Sequence, residues 1–303
     1  MTTGSSDLPE AAQRRLSEGA FSSGLSVNDF AACLEMGLEP VGLVQGFCAM
    51  QWGSYGIGLM QRGLTPYGGS QGGYVENYQC PHGAMMGGEH RIWGQNYQQT
   101  WIESSWNEGF SSAYARMVEE ASDLHADGVV GVLDTQSSLT DAGIIEFHLT
   151  GTAVKLEGAP APTAAPTAAP WTTYLAGARL AKLFEAGFAP VSIIATVSSV
   201  RVWAYCVTEL LMGGVGGFAM NQNFAPQEIQ QIVRAQSAAR SLARKSVRDQ
   251  LHGDSLHGAD LSVMEREFEK GDLEVQTLLR GNRVRRFKAF EALPVPQATV
   301  RLS

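Results

Sequence analysis

Cys80, Pro81 and His82 stand together, and Glu89 and His90 follow seven residues later. Thiolate and imidazole suit a tetrahedral divalent transition metal such as zinc, so Cys80, His82 and His90 are the candidate metal ligands. The spacing C-x-H-x7-H matches no established zinc motif, and histidines that make ordinary hydrogen bonds in an ordered interface loop are the favoured reading. The surrounding segment, 53–99, is rich in Gly, Tyr and Gln and carries Tyr67, Tyr74, Tyr78, Trp93 and Tyr97. Such aromatics bury a large area while keeping a polar handle, as protein contact surfaces do. Tyr74, Tyr78, Trp93 and Tyr97 are therefore the expected interface residues, with a local mini-core around the first half as the alternative.

Other chemistry is sparse. The sequence offers no Ser-His-Asp set, no paired-carboxylate motif and no H-E-x-x-H, and no catalytic residue is assigned. Leu211–Phe218 is glycine-rich but lacks the G-K-[ST] of a phosphate loop, so a closely packed turn is expected there. Leu124-His125-Ala126-Asp127 and Leu256-His257-Gly258-Ala259-Asp260 look like counterparts, and the two histidines are read as caps of helix C-termini rather than as acid–base groups. Arg240, Arg244 and Arg248 form an i, i+4, i+8 stripe, and Arg283, Arg285, Arg286 and Lys288 a basic strand. Contact with acidic residues of the first half, among them Glu119, Glu120 and Asp123, is favoured over a nucleic-acid surface.

Bulk properties bound the class. Hydrophobic residues make up 44% of the chain and charged ones 17%, which describes a globular protein with a low-charge surface. Residues 1–158 carry 18 acidic and 6 basic side chains, a net of −12, and residues 159–303 carry 12 and 16, a net of +4. That asymmetry fits two halves that attract each other, within a chain or between chains. Met1 to Arg15 has no apolar run, so no secretory signal is expected, and the unpatterned Cys33, Cys48, Cys80 and Cys206 are read as reduced thiols of a cytoplasmic protein. Pro40–Gln61 carries no charge, but its Gln, Gly and Pro content argues against a membrane span.

The elements that must position these groups read as two versions of one unit. Glu35-Met36-Gly37-Leu38-Glu39-Pro40-Val41 matches Glu185-Ala186-Gly187-Phe188-Ala189-Pro190-Val191, and Thr150–Val154 matches Arg280–Val284. The expected organisation is a flexible tail (1–25), a first repeat (26–157) with an insertion at about 53–106, a Pro/Ala linker (158–171) and a more diverged second repeat (172–303). Each repeat is expected to begin with a short helix, capped in the first by Ser26 and Asp29 and closed by Gly37. A strand follows. In the second copy Val191, Ile193, Ala195 and Val197 alternate, and the phase changes at Val200 and Val202, which predicts a bulge or bend near Ser198. Phe110, Ala113, Tyr114, Met117, Val118, Ala121 and Leu124 trace one face of a long helix. Its counterpart is expected after Pro226, with Ile229, Ile232, Val233, Ala243 and Val247 as apolar positions. Strands are expected at 128–133, 144–156, 261–269 and 273–287, with an insertion at 248–255.

The run from Glu119 to Val132, E-E-A-S-D-L-H-A-D-G-V-V-G-V, followed by T-G-T-A-V-K-L at 150–156, resembles the YbjQ-like family, also labelled heavy-metal-binding. His125 stands where that family usually has glycine, and Gly128 where it has alanine. The resemblance implies a small α+β fold in which each unit packs a mixed sheet on one long helix and neighbouring subunits extend each other's sheets into a closed ring, commonly of five. It implies no enzyme activity, and the metal label transfers no ligand residues. A self-assembling scaffold of at least five chains is the expectation, with metal binding as the alternative. A further protein partner stays open.

Overall fold

The computed structural model describes residues 22–51, 91–139, 144–156, 169–206, 229–267 and 272–288. Tyr74, Tyr78, Cys80, His82 and His90 lie outside them, as do most of the linker and the Gly-rich run at 211–218.

Helix α1 (Val27–Glu35) starts as its sequence dictates: Ser26 Oγ accepts from the Asp29 amide at 3.2 Å and donates to the Asp29 carboxylate at 2.7 Å. It ends at Gly37, whose φ of 73° is a left-handed value that favours glycine. The chain then enters strand β1 (Leu38–Gln51). Strand β2 (Arg91–Gln98) runs into the long helix α2 (Thr100–Asp123), and strands β3 (Gly128–Leu139) and β4 (Ile144–Leu156) complete the first half. The second half has strand β5 (Trp171–Thr172), helix α3 (Gly177–Glu185), strand β6 (Phe188–Cys206), helix α4 (Gln230–Leu251) and strands β7 (Ser255–Glu267) and β8 (Leu273–Arg286).

The strands form two four-stranded sheets, sheet A in the order β1-β4-β3-β5 and sheet B in the order β2-β6-β8-β7. Every pairing is antiparallel except that of β5 with β3, so sheet A is mixed and sheet B is not. Strands are exchanged between the halves: β2 extends sheet B beside β6, and β5 extends sheet A beside β3. The registers run in parallel. Pro40 faces Val154 and Pro190 faces Val284, an irregularity follows at Val41 and at Val191, and then Val44 faces Gly151 and Ile194 faces Gly281. Strands β3 and β7 each break register at a glycine with φ of 62°, Gly131 and Gly258.

The layers alternate as sheet A, α2, sheet B, α4. Gly109, Ala113, Met117 and Ala121 turn toward sheet A, and the approach is close: a Cβ on Gly46 would lie 1.8 Å from the Ala113 carbonyl oxygen. Trp106 stacks on Phe110 at 5.4 Å and meets Phe147 edge-on. The other side of α2 meets Ile193, Ala195 and Val197 of β6 in the same core. Helix α4 lays Ala235, Ala239, Ala243 and Val247 on the opposite face of sheet B, against Ile194, Val200, Val202, Val275 and Leu279.

This layering accounts for several departures from the sequence reading. The β6–β8 register runs unbroken from Ser192 to Val202, so no bulge occurs against β8 near Ser198. The change of apolar phase has another cause: helices cover both faces of β6, so both parities are buried. In α4 it is the alanines that are buried, while Ile229 and Val233 are exposed, because small side chains let the helix sit close to the sheet. Residues 248–255 are no insertion; they are the end of α4, its cap and the start of β7. The positional counterpart of His125 (φ 53°) is therefore His252 (φ 49°), in the similar run Leu251-His252-Gly253-Asp254, and not His257, which lies within β7. Finally, Arg91 to Trp106, assigned to the insertion, is strand β2 and the first turns of α2.

Candidate functional site

Polar side chains concentrate where the halves meet. At the end of β2 the chain turns through Gln99, whose amide donates to the Ser199 carbonyl at 2.8 Å. Ser199 Oγ lies 2.8 Å from an oxygen of both Gln99 and Glu274, and the Ser199 amide donates to Glu103 at 3.0 Å. Arg201, 6% exposed, places Nε and Nη2 at 3.0 and 2.6 Å from Asp272 Oδ2, and Asp272 is 1% exposed. An ion pair this buried adds little net stability, yet losing one partner strands the other charge at a cost of about 3–5 kcal/mol. The cluster ties β2, β6, β8 and the start of α2 together. Beside it an open cleft of about 380 Å³ separates α2 from α4, with Glu103, Asn107, Lys245 and Asp249 on its walls.

A second group joins the sheets farther along. Arg280 donates to Asp134 of sheet A at 2.6 Å and to Asp260 at 2.9 Å. Burial pushes the Asp134 carboxyl above its ordinary value, with the Arg280 charge opposing that rise. Burial, then the neighbouring Asp134, pushes the Tyr174 phenol well above its ordinary value. Asn282 accepts from Thr173 Oγ1 and from the Tyr174 amide, both at 2.8 Å. At the cap of α4, Asp254 accepts from Arg283 at 2.6 Å and from Arg285 at 2.9 Å, and these hydrogen bonds, that of Arg285 foremost, hold its carboxyl below the usual range. Three of the seven basic side chains singled out in the sequence, Arg283, Arg285 and Arg286, thus have identified partners. Arg280 rather than the helix stripe reaches the acidic half, and Arg286 donates to the Lys288 carbonyl. Arg240, Arg244 and Arg248 are exposed and make no ion pair among the described residues, so they do not meet Glu119, Glu120 or Asp123.

Among the described residues, exposed apolar side chains stand on sheet A and at the start of α4. On the side of sheet A away from α2, Phe47 is 43% and Leu133 is 65% exposed, and the Phe47 ring lies 4.6 Å from that of His148. At the N-cap and in the first turn of α4, Ile229 and Val233 are 37% and 47% exposed. The free edge of β1 is partly occupied: the Gln45 amide donates to Glu120 at 2.8 Å, and Arg116 donates to the Phe47 carbonyl.

Of the predicted interface residues, Tyr97 lies on β2 opposite Arg201 and is 41% exposed. Trp93 is on the same strand, its backbone opposite Ala204. Cys33 and Cys48 are buried free thiols. Among the described residues no three His, Cys, Asp or Glu side chains gather as metal ligands. No described helix is long and apolar enough to cross a membrane.

Residues 84–157, which span β2, α2, β3 and β4, match the family model described as "Putative heavy-metal-binding". This segment is YbjQ-like. Cys80 and His82 fall before the YbjQ-like segment and His90 within it. The chain is also similar to the Encapsulin nanocompartment protein of Mycobacterium tuberculosis, with 29% identity over 259 residues, 84% of this chain and 82% of the relative. No solved structure matches. The sequence reading missed the Arg201–Asp272 lock and the alanine stripe of α4. An arginine inside the apolar run Val200-Arg201-Val202-Trp203 was the available signal for the first, and alanines at 235, 239 and 243 for the second.

Proposed function

We propose that this chain is a structural protein built from two diverged copies of one YbjQ-like unit, and that five or more copies assemble in the cytoplasm into a closed homo-oligomer. The carrying observation is the mutual completion of the sheets. The first half lends β2 to sheet B and the second lends β5 to sheet A, while the order helix–strand–helix–strand–strand and the registers around Pro40 and Pro190 run alike. Units that finish each other's sheets leave the same needs unmet at the ends of a pair, and closed symmetry meets them. Similarity to a nanocompartment protein supports an assembly role. Tyr74, Tyr78, Trp93 and Tyr97 are proposed to lie between subunits.

The test is removal of residues 67–90, a deletion that stops short of β2 and so leaves sheet B whole. The variant is expected to fold but to change native mass or shape. An unaltered assembly would remove the interface role of this segment.

The family description of the YbjQ-like segment favours one second reading, binding of a divalent transition metal such as zinc through Cys80, His82 and His90. Metal analysis of untagged protein would then find about one equivalent per chain, abolished by Cys80→Ala. Metal-free protein of native mass would exclude it.

A further inference from the structure

We infer that the outer face of sheet A, around Phe47 and Leu133, receives helix α4 of a second copy of this chain, as sheet B receives α2 within the chain. The inference rests on the assembly reading and specifies its contact.

The positional match fixes the geometry. Strands β1 and β6 correspond through Pro40 and Pro190, and through Val44 and Ile194. The buried stripe Gly109, Ala113, Met117, Ala121 of α2 corresponds to Ala235, Ala239, Ala243, Val247 of α4, one for one at four-residue spacing. The faces correspond too. Thr152, on the outer side of sheet A, accepts from the Gly24 amide, while Asn282, on the α2 side of sheet B, accepts from the Tyr174 amide. The outer face of sheet A is thus the equivalent of the face on which α2 lies.

In the internal contact Glu103 of α2 reaches the Ser199 amide at 3.0 Å, and Phe110 packs with Ile193, Ala195 and Val197. The positions on α4 that correspond to Glu103 and Asn107 are Ile229 and Val233, both exposed apolar residues. The positions on sheet A that correspond to Val197 and Ser199 are Phe47 and Ala49, both exposed. Sheet A therefore displays side chains where Val197 and Ser199 are buried, and the start of α4 displays apolar ones where Glu103 and Asn107 are half-buried; at the Phe110 position α4 carries Gln236, which donates to Glu265. Charge agrees: the net +4 half of one copy meets the net −12 half of the next, and Arg240, Arg244 and Arg248 come to the contact exposed. Edge pairing along the middle of β1 is obstructed by Glu120 and Arg116, which leaves the sheet face as the open route. Because the two patches differ, the contact repeats from copy to copy and gives a ring when the rotation closes.

Two measurements test this. Phe47→Glu and Val233→Glu should each raise the protein concentration needed for assembly by at least about tenfold in sedimentation, with far-UV dichroism unchanged; a buried charge at an interface costs at least that much. Protein carrying Ala49→Cys, mixed with protein carrying Ile229→Cys, should form disulfide-linked pairs on mild oxidation that neither variant gives alone; unsubstituted protein oxidised in parallel controls for native thiols. A multi-chain native protein whose assembly survives both Glu substitutions, and whose cysteine variants do not link, would overturn this contact while leaving the assembly reading intact. A native protein that runs as a single chain overturns both. If a Glu variant unfolds, the cross-link decides.

Discussion

Asp254 shows how single residues hold this fold. Its carboxylate, on the turn after α4, takes hydrogen bonds from Arg283 and Arg285. Its pKa is depressed in the folded state, so the stabilisation is present above the unfolded value of about 3.9 and is lost as pH falls through the folded value. Asp254→Asn should lower stability by about 1.5–3 kcal/mol at neutral pH, the range for hydrogen bonds to charged groups. The deficit should shrink below about pH 4 as the wild-type carboxylate protonates. Urea unfolding at pH 7 and pH 3 measures both; an equal deficit at the two values would contradict the assigned role. Asp134 has the opposite sign: burial raises its pKa, so its ionisation weakens the fold as pH rises through that value. This residue scale was the least legible in the sequence. Asp254 sits in Leu251-His252-Gly253-Asp254, which starts five residues before a second Leu-His-Gly run, and the later run was matched to Leu124-His125 in its place. The left-handed backbone at His125 and His252, each just past a helix, separates the two, since His257 lies within β7.

At the scale of elements, periodicity was informative wherever one face is buried and misleading where two are. The α2 face through Phe110, Ala113, Met117 and Ala121 was readable, as were the Ser26 cap, the Gly37 stop and the strand at 144–156. Strand β6, covered by α2 on one side and α4 on the other, has apolar residues in both parities, and a two-residue period cannot describe it. Helix α4 hid its buried face for a related reason: alanine carries a weak apolar signal but permits close packing. Close packing also sets the cost of change. Gly46→Ala would drive a methyl group into the Ala113 carbonyl, and β1 and α2 would have to separate. A loss of about 3 kcal/mol or more is expected in denaturant unfolding. A loss under about 1 kcal/mol would contradict the close approach, since overpacking usually costs 1–3.

At the scale of the whole molecule, the similar motifs of the two halves and the charge asymmetry were legible in the sequence, but nothing in it signalled that strands cross between halves. A short strand such as β5, two residues long, has no pattern to read, and β2 lay inside a segment whose composition spoke of contact rather than of pairing. The crossing matters because it makes neither sheet complete without the other half, and it motivates the central claim that copies of this chain complete one another. Sedimentation velocity of the purified, untagged protein at micromolar concentration tests that claim most directly. A discrete species of at least five chains that persists on dilution through the micromolar range is the expected result, and a monodisperse single chain would contradict the assembly.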